Sequence, residues 1–393
     1  MSEVKMPREV LCELTEDHLE TGLRGVPVGV CTTSTVDPQK GLFYCRRPIA
    51  ELAERDPLDV IFLLAHGRDA RPEELETFTS DIHSRASCSP KLIKHIRELP
   101  RDGHPMKLFC AALLLAGMIE GKNDYREDCL NVIAKIPEIV AHVINHHAGW
   151  EPCKESNPEL GYMENFTHML NVPGVKEEDL SRVFRLFNVL HYDHGGGNCS
   201  TFTGKTVASA LEDMWGSLSA AMCALAGPRH GKANQDCLTF VKEVLSEVGE
   251  DATAQQVENL VRKRLDNREL VFGFGHAVLR VEDARATILY EAAQEMYPKH
   301  PLVKIASLLR TEGPKVLKEN PRISNPYPNV DAISGTVLTA AGFPFPEYYT
   351  VLFGLSRVIG IAMQIVYERC VARDGKGTPI MRPKYFYKDP QSV

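Results

Sequence analysis

The chain of 393 residues is 44% hydrophobic and 25% charged, the balance of an ordinary globular protein. Its length exceeds what one compact core organises, so two domains are expected. A net charge of −7 without any lysine or arginine run argues against nucleic acid or an anionic membrane as partner.

The eleven cysteines are scattered without a CxxC pair, as in a reducing compartment. The opening MSEVKMPREVLCELTED is polar and acidic, with no apolar h-region and no Arg-rich presequence. On these grounds the chain reads as cytoplasmic, or as already processed. The longest apolar stretch, residues 108–119, is too short to span a bilayer.

Residues 1–50 read as loop with short extended pieces (VPVGVCTT) and a turn at Asp37-Pro38-Gln39-Lys40-Gly41. From Ile49 onward, apolar residues recur at helical spacing, giving helices over 58–66, 73–84, 90–99, 106–120 and 127–145. The fourth is apolar all round and therefore central. Pro137 kinks or splits the fifth. In the segment 176–194, Glu177, Glu178 and Asp179 crowd the first turn, where the helix dipole favours negative charge. Leu180, Val183, Phe187 and Leu190 mark its buried face, and the same spacing puts His191 and His194 on the core side.

Val207, Leu211, Met214, Trp215, Leu218, Met222 and Leu225 then form one face of a long helix that Gly227-Pro228 stops. Arg229, His230 and Gly231 follow as an exposed polar tip. Residues 232–325 are more charged, with shorter helices near 238–248, 254–265, 284–297 and 302–312, and a Pro-rich segment closes them at 320–329. Residues 348–373 are again strongly apolar. There is no internal repeat and too little alternation for a major sheet. The outline is all-α, with a charged small domain inserted in a larger apolar one.

Several residue groups could carry chemistry. His191-Tyr-Asp-His194 has HxxH spacing, with His230 and His276 as further imidazoles for a zinc site. No glutamate completes an HExxH pattern, which favours a hydrogen-bonded structural pair. Gly204-Lys205-Thr206 matches the end of a phosphate loop, but Cys199 occupies the place of the first glycine and no strand precedes it. Gly273-Phe274-Gly275-His276 lacks the third glycine of a dinucleotide fingerprint and reads as a tight turn whose amides approach a ligand. Arg357 interrupts YYTVLFGLSRVIGIAMQIV; a buried guanidinium needs either an internal carboxylate or the carboxylate of a ligand. Asp331 either caps a helix or, if desolvated, has the raised pKa of a general base. His142 and His146, in AHVINHH, read as a solvated helix end.

Six blocks carry a resemblance in one consistent order: HYDHGGGN, LAGPRHGKANQ, GFGHAVLR, NPYPNVDAISG, YYTVLFGLSR and IMRPK. From about Asp37 to the C-terminus the chain resembles the citrate synthase family of the eukaryotic-like (Si) type, which includes 2-methylcitrate synthase. That resemblance implies an all-α fold with a large domain over 1–229 and 338–393, a small domain over 230–337, and the active site in the cleft between them. It implies a Claisen condensation of acetyl-CoA with oxaloacetate, with CoA as substrate carrier, no metal, and a homodimer.

By the same resemblance, His230 donates a hydrogen bond to the thioester carbonyl, Asp331 removes a methyl proton, and His276 polarises the oxaloacetate ketone. His194, Arg285, Arg357 and Arg382 correspond to oxaloacetate and citrate ligands, Arg382 reaching in from the second subunit. Val271, Phe272, Gly273, Phe274 and Gly275 correspond to part of the CoA loop. The chain departs from the family pattern at Gly195, where an acidic residue is common, at Ala284, at Ser324, and at Cys45-Arg46-Arg47. The rival readings are a propionyl-CoA-using 2-methylcitrate synthase, a metal-dependent hydrolase built on His191 and His194, and an inactive binding relative.

Overall fold

The structure, a computed structural model, describes residues 9–150 and 152–389. After a 3-10 turn at Glu16–Glu20 come three short strands, β1 (Ser34–Asp37), β2 (Gly41–Tyr44) and β3 (Arg47–Pro48), in one antiparallel sheet of order β1-β2-β3. They lie after the expected VPVGVC piece. The Asp37 carboxylate accepts the amides of Gln39 and Lys40 at 2.8 and 2.9 Å, which closes the first hairpin over the turn read from sequence. Cys45 and Arg46 form the second, two-residue turn with φ of +45° and +71°, the backbone of the tight hairpin turns that match strand twist. The Arg46 side chain is exposed.

The helices follow as α1 (Ile49–Leu52), α2 (Pro57–His66), α3 (Pro72–Arg85), α4 (Pro90–Arg97) and α5 (Pro105–Glu120). The last four each begin on proline, whose missing N–H is no loss at a first turn. Asp56, Ser89 and His104 cap three of them. α6 (Tyr125–Ala148) runs unbroken through Pro137 and stops at Gly149, φ +70°. Its end is not solvated. His142 is buried, His146 Nε2 donates to Leu99 O at 2.7 Å, and His147 joins the Tyr348 hydroxyl and Gly103 O. α7 (Tyr162–Leu170) and α8 (Glu177–His191) come next.

The expected long helix ending at Leu225 is two helices, α9 (Cys199–Ser209) and α10 (Met214–Leu225). Asp213 takes the amide of Gly216 at 2.7 Å and so starts a new helix, while Leu211 adopts φ +70° and stands 74% exposed. The remaining elements are α11 (Ala233–Val248), α12 (Ala254–Asp266), α13 (Ala284–Met296), α14 (Pro301–Leu317), α15 (Asp331–Ala340) and α16 (Tyr349–Cys370).

α16 packs on α6, α8, α9 and α10, and α5 packs on α6 and α10; α11 packs on α14 and α15, and α12 on α14. One continuous cluster of buried apolar side chains joins both groups. The stretch Pro346–Cys370 is long and apolar enough to cross a bilayer, but 89% of its apolar window is buried inside the fold, which makes it a core helix.

Where α16 passes the end of α8 there is no room for a side chain. A Cβ at Gly360 would lie 2.3 Å from Tyr192 O and 2.8 Å from Asp193 Cβ. Gly360→Ala should therefore push α16 off this loop and cost about 1–3 kcal/mol, read as a lower denaturant midpoint; an unchanged midpoint would contradict this packing.

Candidate active site

α8 ends at His191, so His194 does not continue its core face but sits on the following loop. His191 itself belongs to the core. Its Nδ1 donates to Phe187 O at 2.7 Å, its ring stacks on Phe187 at 4.2 Å, and burial drives its pKa down to about 3. The HxxH pair is therefore a structural histidine followed by a site histidine, and among the described residues no three His, Cys, Asp or Glu side chains converge as a metal site.

The turn carrying His194 is built on a buried carboxylate that the sequence left without a role. Asp193 accepts from Thr33 Oγ1, from Gln364 Nε2 at 2.8 Å and from the His194 amide at 2.8 Å. Its own amide donates to the Tyr44 hydroxyl, which donates to Val189 O at 3.0 Å. Burial raises the Asp193 pKa, while Thr33 and the Arg357 charge oppose the rise. Gly195 follows with φ +74°, its amide on Ser34 Oγ at 2.7 Å. That left-handed backbone is the physical reason for glycine at this departure from the family pattern. His194 Nε2 is buried with no hydrogen-bond partner among the described residues, and the ring lies 5.3 Å from that of His276. Burial first, then the charges of Arg285 and Arg357, hold His194 well below the usual imidazole range.

His230 is half-buried rather than an exposed tip. Asn198 caps α9 through the Thr201 amide at 3.0 Å, and the next free amide of that turn, Ser200 N–H, donates to His230 Nε2 at 3.2 Å. Ser200 Oγ lies 2.9 Å from the same nitrogen. An N–H can only donate, so Nε2 presents its lone pair and the neutral ring carries its hydrogen on Nδ1. Burial, with the Arg357 charge, lowers the His230 pKa to about 4. The ring stays a neutral donor.

His276 and Asp331 come from two loops zipped together. Gly275 N–H donates to Tyr327 O, Asn329 N–H to Gly273 O, Asn329 Nδ2 to Gly275 O, and the Asp331 amide to Asn329 Oδ1, all at 2.9–3.1 Å. A Cβ at Gly273 would lie 2.8 Å from Ala332, so the loop 271–275 touches the start of α15 directly. His276 Nδ1 accepts the amides of Val278 and Leu279 at 3.0 and 2.9 Å, which leaves its hydrogen on Nε2. Burial and then Arg285 lower its pKa. Asp331 lies in the first turn of α15, where Val330 is the cap and the Asp331 carboxylate makes no capping bond. Burial pushes it up to about 6; Arg285 pulls against that rise and Asp283 adds to it.

Two of the predicted arginines line the same place. Arg285 is buried and paired with Asp283 at 2.7 Å. Arg357, also buried, donates through Nε to His191 O at 3.0 Å and lies over the Phe353 ring, and it forms no ion pair among the described residues. No carboxylate among the described residues pairs with it. Burial brings its pKa down to about 10, so it remains a cation. Arg382 is exposed on the extended segment after α16 and makes no hydrogen bond or ion pair among the described residues, so one chain does not bring it to the others. Lys205, of the rejected phosphate loop, is buried and paired with Glu368.

The sequence missed Asp193, Ser200, Asn329 and Gln364. Only Asn198, a cap residue ahead of a helix, could have signalled the α9 turn. Together the groups supply a carboxylate with a raised pKa, two neutral imidazole donors of fixed tautomer and an unpaired buried cation. That set suits an enzyme that takes a proton from carbon beside a carbonyl and adds the resulting carbon nucleophile to a second, carboxylate-bearing carbonyl compound.

The comparisons with known proteins agree. A family model described as citrate synthase, C-terminal domain, matches residues 22–384. "Citrate synthase 4, mitochondrial" of Arabidopsis thaliana is 35% identical over 95% of this chain and 82% of that one. The peroxisomal citrate synthase of Saccharomyces cerevisiae is 32% identical over 93% and 83%. The solved ternary complex of carboxymethyl coenzyme A and oxaloacetate with the Thermoplasma acidophilum citrate synthase aligns with a TM-score of 0.80 at 26% identity, over 96% and 97%. The chain belongs to the citrate synthase family and has its all-α fold.

One expectation is overturned. The relatives' stated compartments are the mitochondrion and the peroxisome, which points to an organelle rather than the cytoplasm. A compartment address is read from short targeting segments, not from the folded body, so polarity and unpaired thiols do not report it.

The electrostatics of Asp331 can be measured directly. Carbon-13 NMR of labelled aspartate should find the Asp331 carboxyl titrating near 6, and Arg285→Gln should raise that midpoint, because the Arg285 charge lowers it. A midpoint near the ordinary aspartate value, indifferent to Arg285, would contradict this site.

Proposed function

We propose that the chain condenses acetyl-CoA with oxaloacetate to give citrate and CoA, entering the tricarboxylic acid cycle, with the residues named above in the roles the family resemblance assigned them. The observation that carries this reading is that Asp331, His230 and His276 each lie within the field of Arg285 or Arg357, the latter without an ion pair among the described residues.

Oxaloacetate binds through the neutral His194 ring and through Arg285 and Arg357, whose guanidinium groups meet its two carboxylates. Asp331 takes a proton from the acetyl methyl while His230 Nδ1–H donates to the thioester oxygen, so that negative charge never develops unmet. The new carbon attacks the ketone carbon as His276 Nε2–H bonds to, and then protonates, the ketone oxygen. Water then cleaves the thioester of the bound citryl-CoA, releasing citrate and CoA. Every charge that develops is met by an imidazole or a guanidinium, and CoA is substrate, held in part by Val271, Phe272, Gly273, Phe274 and Gly275.

The lobes are read as 1–229 with 338–393 for the large domain and 230–337 for the small one, which closes on bound oxaloacetate. A homodimer is supported by exposed apolar side chains, Leu114 and Met118 on α5 and Leu211 beyond α9, and by the aromatic tail of Tyr385, Phe386 and Tyr387. In that dimer Arg382 completes the oxaloacetate site of the second copy. The matched relatives named here are citrate synthases, which favours acetyl-CoA over propionyl-CoA.

CoA release followed with a thiol reagent tests the reading. Release should require oxaloacetate, exceed that with propionyl-CoA, and fall by at least about a hundredfold in Asp331→Ala. Because the base must be ionised, the rate should climb as pH rises through about 6 and level off above. Release without oxaloacetate, or undiminished in Asp331→Ala, would overturn the proposal.

A further inference from the structure

Behind His194 runs a buried polar chain that the reaction itself does not use. Lys205 on α9 and Glu368 near the end of α16 have side chains 5% and 3% exposed and form an ion pair of 2.9 Å. Lys205 Nζ also donates to Gln364 Oε1 at 3.3 Å. Gln364 Nε2 donates in turn to Asp193 Oδ1 at 2.8 Å and to Gly195 O at 3.3 Å, and the same Asp193 oxygen receives the His194 amide. The ammonium lies directly against the glycine turn, since a Cβ at Gly196 would stand 3.0 Å from Nζ.

Lys205 and Asp193 hold the two ends of Gln364 in one orientation. A carboxamide has a donor end and an acceptor end, and an ionised carboxylate tolerates only the donor. Lys205 can only donate, so it keeps Oε1 on its own side and turns Nε2 toward Asp193. Without the ammonium Oε1 loses its partner, and the amide is held at one end only and free to swing off Asp193. Glu368 supplies the counter-charge that a buried ammonium requires.

We propose that Lys205 is a positioning residue for oxaloacetate: by orienting Gln364 it fixes Asp193 and the Gly195–Gly196 turn, and through them it presents His194 to the substrate. The inference rests on His194 being an oxaloacetate ligand. It assigns a function to a side chain with no contact to the cleft.

Lys205→Met alone would strand the Glu368 carboxylate, so the informative variant is Lys205→Met with Glu368→Met, an apolar exchange that folds commonly tolerate. Oxaloacetate binding to the intact enzyme is measured by calorimetry, beside KM for both substrates and the melting temperature. Oxaloacetate Kd and KM should rise about tenfold, the worth of one oriented hydrogen bond. KM for acetyl-CoA and the melting temperature should hold. Gln364→Met should give the same loss, and the three substitutions together no more, as for residues acting in series. Unchanged oxaloacetate affinity in the folded double variant overturns the proposal, and so does an equal rise in both KM values. His194→Ala is run in parallel. If it too leaves oxaloacetate binding unchanged, the ligand role of His194 has failed as well as the relay behind it.

Discussion

The contact on which the site depends is a backbone amide at the start of a helix. Ser200 N–H, in the first turn of α9, meets His230 Nε2 at 3.2 Å. It fixes the tautomer and, with the positive end of the α9 dipole behind it, makes an imidazolium unfavourable there. A thioester methyl is too weak an acid for a lone carboxylate to deprotonate near neutral pH, so a neutral donor aimed at the forming enolate is the group the reaction cannot spare. α9 also begins at Asn198, whose side chain donates to Gly195 O at 3.0 Å and so holds the His194 turn. One helix terminus thus holds both His230 and the His194 turn, the proposed thioester donor and a proposed oxaloacetate ligand.

Around that contact the fold keeps its imidazoles neutral and leaves Arg357 without an ion pair among the described residues. His191, His194, His230 and His276 all lie below the ordinary histidine range, and burial is the first cause in each. Burial disfavours the charged form of both groups, lowering the pKa of a histidine and raising that of a carboxyl, and so the same desolvation brings Asp331 into the range of a useful base. A guanidinium resists deprotonation far better than an imidazole, and Arg357 therefore stays charged in surroundings where histidine does not. Its only hydrogen bond among the described residues is to a carbonyl, which leaves its paired N–H groups for a carboxylate from outside.

Much of this was legible in the sequence because the reacting side chains sit in short contiguous blocks. LAGPRHG, GFGHAVLR and PNVDA carry the three residues of the proposed chemistry, and the apolar length of α16 made Arg357 conspicuous. What escaped was whatever the fold joins across distance or through the backbone. Ser200 acts through an amide that any residue possesses. Asp193 stood in view between the two histidines, yet its partners Thr33 and Gln364 are remote in sequence. Lys205 lies 159 residues from Gln364 and resembled part of a phosphate loop. Periodicity also ran smoothly across Leu211, where a cap at Asp213 breaks the helix, because apolar spacing records which face is buried and not whether the backbone continues. The strands were too short to alternate, although Tyr44 on β2 is a main support of the Asp193 turn.

The most direct test of this account is the state of the His230 ring, observed by nitrogen-15 NMR of histidine-labelled protein between pH 5 and 9. A neutral imidazole with its hydrogen on Nδ1 throughout that range is the expected result, given the Ser200 amide on Nε2 and a pKa lowered to about 4. A ring that becomes imidazolium near pH 6.5, the ordinary histidine value, or one protonated on Nε2, would contradict it. In that case the α9 terminus would not be what poises His230.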